Sequence, residues 1–107
     1  MRWMPIALLV LLAAPSCRAK ESNLVLTMGR FERADSYAQQ TFSLGNTTSN
    51  FYEVVYVECG FFARDSLIAS ESGLIQNLHP GETGYGHVIA LKAGDADSAK
   101  CRIQEIR

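Results

Sequence analysis

The stretch Phe51–Phe62, FYEVVYVECGFF, limits the fold more than any other part of this chain. It is dense in aromatic and β-branched residues, the composition that suits a pleated, half-buried surface. Successive side chains of a strand point to opposite faces. Val55, Val57, Cys59 and Phe61 therefore share one face, and Tyr56, Glu58 and Gly60 the other. The first row is the better core face, so Cys59 is expected to point inward.

The rest of the chain repeats this character in shorter pieces. Asn23–Met28, Gln39–Leu44, Leu67–Ala69, Gly73–Leu78, Tyr85–Leu91 and Ala99–Ile106 each read as a strand, which with the long segment makes about seven. Turn chemistry separates them: Gly45–Asn50 (GNTTSN), the tight Ala63–Ser66 connection, the Pro-Gly of His79–Thr83 and the Ala93–Ser98 loop. Arg30–Ala38 is charged and has no clean period, which leaves strand extension, loop and helical turn all open. Short strands at 8–12-residue spacing predict an antiparallel sandwich or a small barrel. No long segment repeats a 3.6-residue period, so a helical bundle is not expected.

The N-terminus has a different logic. Arg2 precedes the apolar run Ile6–Ala14 (IALLVLLAA), and Pro15 to Ala19 form a small, polar exit. A positive start, an apolar run of about 7–15 residues and a small-residue exit describe a secretory signal peptide. The run is too short to cross a bilayer, which needs about 20 residues. The exit favours cleavage after Ala19, so that Lys20 begins the mature chain. Ala14-Pro15-Ser16-Cys17 is an alternative that resembles a lipobox; Cys17 would then be a lipidated N-terminus and the protein membrane-anchored. The expected organisation is a signal over 1–19, an N-terminal strand and connecting segment over 20–38, and the body of the sandwich over 39–107. Export places the protein in the periplasm or outside the cell.

Removing nineteen of the 107 residues leaves 88, enough for one small domain. Such a domain buries only about 60–65% of its unfolded surface and benefits from a covalent staple. Cys59 and Cys101 remain after cleavage, both on expected inward faces. Two cysteines in a small exported domain usually pair, so a Cys59–Cys101 disulfide is expected; two buried thiols are the alternative. Without Arg2 and Arg18, ten Lys and Arg fall to eight against eleven Asp and Glu, a net charge of −3. No Lys/Arg cluster stands out, which argues against nucleic acid as a partner.

No residue set carries a catalytic signature. There is no G-x-S-x-G elbow, no phosphate-cradling glycine loop and no zinc spacing. His79 lies in a turn and His87 on a strand, neither with an evident orienting partner. Asp95 and Asp97 could approach a calcium ion, but calcium takes six to eight oxygen ligands and the EF-hand spacing is absent; a solvated acidic loop is expected, with no metal and no cofactor. Asn46-Thr47-Thr48 fits the glycan acceptor rule and equally fits turn chemistry. Tyr52, Tyr56, His79 and Tyr85 are the candidate binding surface; for the tyrosines of the long strand, cover by a second sheet or a loop is the competing expectation.

The runs TFSLGNTTS (41–49), YEVVYVECGFF (52–62), DSLIA (65–69), NLHPGET (77–83) and CRI (101–103) together resemble the small bacterial FxLYD-type envelope domains. The resemblance covers about 40–107. It implies an immunoglobulin-like sandwich in exported proteins and lipoproteins, mostly without assigned activity, and supplies no catalytic residues. The expected function is a non-enzymatic binding or structural module of the bacterial envelope, its partner an unknown protein or envelope component. A small enzyme inhibitor or effector acting through a surface loop, 79–86 or 93–98, is the alternative.

Overall fold

The structure, a computed structural model, describes residues 23–107. The expected signal segment, its cleavage point and Cys17 lie outside the described residues. The described chain is all-β: β1 (Leu24–Arg33), β2 (Tyr37–Asn46), β3 (Tyr52–Ala63), β4 (Ser66–Leu78), β5 (Thr83–Leu91) and β6 (Ser98–Ile106). They form two three-stranded antiparallel sheets, β1-β2-β5 and β4-β3-β6, stacked as a sandwich.

There are six strands, not seven. The two short strands expected over Leu67–Ala69 and Gly73–Leu78 are one continuous β4. The intervening Ser70-Glu71-Ser72 has turn-like composition, yet each residue pairs with β3: Ser70 opposite Gly60, Glu71 opposite Cys59, Ser72 opposite Glu58. The serine hydroxyls bond outward, Ser70 Oγ to Glu58 Oε2 at 3.2 Å and Ser72 Oγ to Gln104 Oε1 at 3.0 Å. The two serines are on the solvent face of an antiparallel strand, where polar residues need no turn to explain them.

The unperiodic stretch after Met28 is a strand with a bulge. β1 and β2 shift register between Met28 and Phe31, which places one extra residue in β1. Leu24 and Leu26 face inward before the bulge, and Phe31 packs against the core after it. An extra residue reverses the side-chain parity, so a single alternating pattern cannot run through this segment.

The inner row of β3 is as its alternation implies: Val55, Val57, Cys59 and Phe61 are wholly buried. Phe42 and Leu44 of β2 and Val88 and Ala90 of β5 cover it from the facing sheet. β3 and β4 turn back through Arg64 and Asp65, both left-handed with φ 52° and 69°, as a two-residue hairpin of primed type requires. Asp97 closes this end. Its carboxylate accepts the Arg64 N–H at 2.9 Å, and its own N–H donates to the Phe62 carbonyl at 2.8 Å.

The two sides of the sandwich are unequal. β4 and β5 pack closely along one side, whereas β1 and β6 barely touch along the other. Two glycines permit the close side. A Cβ on Gly73 would lie 2.7 Å from the His87 carbonyl oxygen, and one on Gly84 would lie 2.7 Å from Ile75 Cγ2. Cys59 and Cys101, directly opposed on β3 and β6 with Cα atoms 4.0 Å apart, form a disulfide.

Candidate functional site

β5 carries the most exposed apolar side chains of the described structure. Val88 and Ala90 are buried, so the alternate residues Tyr85, His87, Ile89 and Leu91 point away from the core. Tyr85 is 80% exposed and Leu91 75%, with Ile89 also outward. The register sets each against a β2 residue on the same outer face: Tyr85 opposite Ser43, His87 opposite Thr41, Ile89 opposite Gln39, Leu91 opposite Tyr37. An apolar ridge on β5 thus borders a hydroxyl and amide strip on β2.

A shallow groove of about 350 Å³ lies between this ridge and β1, lined by Thr27, Met28, Gly29, Thr41, Ser43, Tyr85 and His87. The β1 bulge shapes its floor. There Thr41 Oγ1 accepts the Arg30 N–H at 2.7 Å, and Gly29 has no side chain to cover that hydroxyl. The surface offers hydroxyls, an imidazole and a phenol ring beside apolar side chains. It suits contact and hydrogen bonding with a partner.

The four residues singled out from the sequence do not form one patch. Tyr85 is on the ridge just described. Tyr52 leans against the buried core and is largely covered. Tyr56 is on the outer face of the other sheet, half-buried, with the Arg107 guanidinium 5.4 Å from its ring centroid. His79 is in the β4–β5 turn, its ring 4.9 Å from that of Phe51 and its Nδ1 3.1 Å from Glu82 Oε1. Ile89 and Leu91 are not among the sequence candidates. Their signal is that both rows of Tyr85–Leu91 are apolar, although only one can face the core of a two-layer sandwich.

Electrostatics are modest. The His79 backbone N–H donates to Glu82 Oε1 at 2.8 Å, and with the His79 side chain it holds the Glu82 carboxyl below its ordinary range. The Glu105 carboxylate, accepting from Arg107 Nε at 2.7 Å, raises the Arg107 guanidinium further. On the outer face of the β4-β3-β6 sheet, Arg102 Nη2 lies 2.6 Å from Glu58 Oε1. Among the described residues no three His, Cys, Asp or Glu side chains gather as a metal site.

Asn46 belongs to the architecture. It is buried, and its side-chain nitrogen donates to the carbonyls of Asn50 at 2.8 Å and Leu78 at 3.3 Å. Its Oδ1 accepts the Thr48 N–H at 3.0 Å and the Thr48 hydroxyl at 2.6 Å. The Asn-x-Thr pattern is therefore turn chemistry, since an amide nitrogen engaged inside the protein is not open to a glycan.

No family model matches the chain, and no curated protein matches it. Two solved structures of a β-glucosidase from Kluyveromyces marxianus are distantly similar to this chain. The Se-Met labelled form has 16% identity over 78% of this chain with a TM-score of 0.48, and the form in complex with glucose 17% over 77%, also at 0.48. This chain spans 14% of the length of either. A likeness at that level bears on neither activity nor partner.

Proposed function

We propose that the protein is an exported, non-enzymatic binding module whose contact surface is the outer face of β5. The observation that carries this reading is the outward row Tyr85, Ile89 and Leu91, with Tyr85 and Leu91 80% and 75% exposed. Scattered apolar residues are ordinary on a protein surface, but here Ile89 and Leu91, with Tyr85 beyond His87, share one outward row, and exposed apolar side chains gathered on one face mark an interaction site. A Cys59–Cys101 disulfide is consistent with export to an oxidising compartment.

The strand order supports an immunoglobulin-like arrangement within the sandwich class. β1, β2 and β5 correspond to strands A, B and E, and β4, β3 and β6 to C′, C and F. Sandwiches of this kind present strand faces and end loops on a rigid frame, which fits recognition without chemistry. Tyr85 also follows the His79–Glu82 turn, which Asn46 anchors through the Gly81 N–H at 2.8 Å. A protruding phenol beside an anchored turn equally suits the inhibitor reading.

The test is capture from an envelope fraction with the oxidised protein and with a Tyr85→Ala/Leu91→Ser variant. Both side chains are outside the core, so the variant keeps its fold. Loss of the captured component in the variant supports the β5 surface, and equal capture refutes it. Recovery of peptidoglycan or membrane marks an envelope module; a single stoichiometric enzyme marks an inhibitor.

A further inference from the structure

β6 has one strand neighbour, β3, and its other edge is free among the described residues. It borders the side of the sandwich where the sheets barely touch. Its inward residues Ala99, Cys101 and Ile103 pack against the core yet are only half-buried, as are Leu26 and Phe31 of β1. The core is thus incompletely covered along one seam. From Ser98 to Ile103 the strand pairs without interruption with Phe62 to Val57. Six residues present a straight edge about 20 Å long, with the N–H and C=O groups of about three residues turned outward.

We propose that this edge takes up an extended segment of another protein by strand addition, and that the segment alternates apolar with acidic residues. The inference goes beyond the β5 surface and stands on separate observations. Apolar side chains of the added strand fall over the seam and complete the burial of Ile103 and Phe31. Its alternate side chains fall on the outer face, beside Lys100 and Arg102. Arg102 is held in place by Glu58 at 2.6 Å. Lys100 has no carboxylate within salt-bridge distance among the described residues, and its ammonium stands 5.7 Å from the Phe62 ring centroid. Opposite charges across neighbouring strands attract, and like charges directly opposed are destabilising.

The same charges disfavour a second copy of this chain. Residues directly opposed across strands point to the same face. In a two-fold antiparallel pairing about residues 100 to 102, Lys100 faces Lys100, Lys100 faces Arg102, or Arg102 faces Arg102. Cationic side chains on an edge guard against self-pairing, and here they leave an acidic strand as the accepted occupant. The Cys59–Cys101 disulfide fastens β6 to β3, so an incoming strand meets a fixed template. A pre-organised edge lowers the cost of adding a strand.

The experiment uses the oxidised protein and seven-residue peptides in which Val or Ile alternates with Glu or Asp. Residue-resolved amide hydrogen exchange locates binding, and peptide titration measures affinity. The expected result is slowed exchange at alternate amides within Ser98–Ile103. Lys100→Glu, a change at an exposed position, should weaken the peptide by about three- to tenfold, and Tyr85→Ala should leave it unchanged. A peptide with Lys in place of each acid that binds as well as the acidic one overturns the proposal. So does protection confined to β5, absence of protection at millimolar peptide, or protection of β6 that grows with protein concentration alone, which would identify a second copy. The Tyr85→Ala arm keeps failure here separate from failure of the β5 surface.

Discussion

Breaking the Cys59–Cys101 bridge, by reduction or by Cys59→Ala/Cys101→Ala, should lower stability severely. The bridge joins residues 42 apart in sequence and encloses β4 and β5. A loop of that length restricts the unfolded chain by about 13 cal/mol/K, worth about 4 kcal/mol at 25 °C in the chain-entropy account. Unfolding entropy of roughly 2.1 cal/mol/K per residue gives the 85 described residues about 180 cal/mol/K. The melting temperature should therefore fall by about 20 °C. Thermal melts followed by circular dichroism, with and without reductant, measure this, after intact mass confirms a gain of two hydrogens on reduction. Geometry adds a second expectation. β6 is held laterally by β3 alone, so in the reduced protein its amides should exchange well below the global transition, before those of β2. A fall of less than about 5 °C, or β6 protection that tracks β2 in both states, would refute the view that the bridge restrains an edge strand.

Two further outcomes follow from the turn that faces the β2–β3 connection. Asn46→Ala removes four hydrogen bonds, two to the Asn50 and Leu78 carbonyls and two from the Thr48 N–H and hydroxyl; it should cost about 2–3 kcal/mol by denaturant titration, and a change within about 0.5 kcal/mol would contradict the anchoring role. Glu82 should titrate by NMR below its ordinary value of 4.5, and in His79→Ala move only part of the way back, because the backbone N–H at position 79, the larger cause, remains. A lowered folded value means that the stability Glu82 contributes is present above the unfolded value and lost as pH falls through the folded one; a midpoint at or above 4.5 would show that the His79–Glu82 contact is absent in solution.

The features legible in the sequence are those set by strong local patterns. The inner row of β3 follows from side-chain alternation, and the Cys59–Cys101 pair follows because both cysteines sit on inward rows. The Pro80-Gly81 turn is equally plain, Gly81 taking φ 79° between β4 and β5. What escaped depends on pairing. Ser70-Glu71-Ser72 has the composition of a turn, and only its register with Gly60, Cys59 and Glu58 makes it a strand. The Met28–Phe31 bulge defeats a period of two because parity changes inside one strand. Asn46 carries its role through Leu78, thirty-two residues away, which spacing alone does not reveal.

The outward row of β5 is less legible in the sequence, for a physical reason that also orders the described sandwich. In Tyr85–Leu91 both rows are apolar, and the sequence does not say which faces the core. The choice is made across the sandwich. Gly73 and Gly84 let β4 and β5 approach until a Cβ at either position would meet the neighbouring strand at 2.7 Å. With that side closed, Val88 and Ala90 are drawn inward and Tyr85, Ile89 and Leu91 are turned out. Closing one side also leaves the other to be held differently. β1 and β6 make little contact, so β6 depends on its ladder with β3 and on the bond between Cys59 and Cys101. The glycine pair and the cysteine pair are thus complementary devices. One brings two strands together by removing side chains, and the other fastens an edge that packing leaves uncovered.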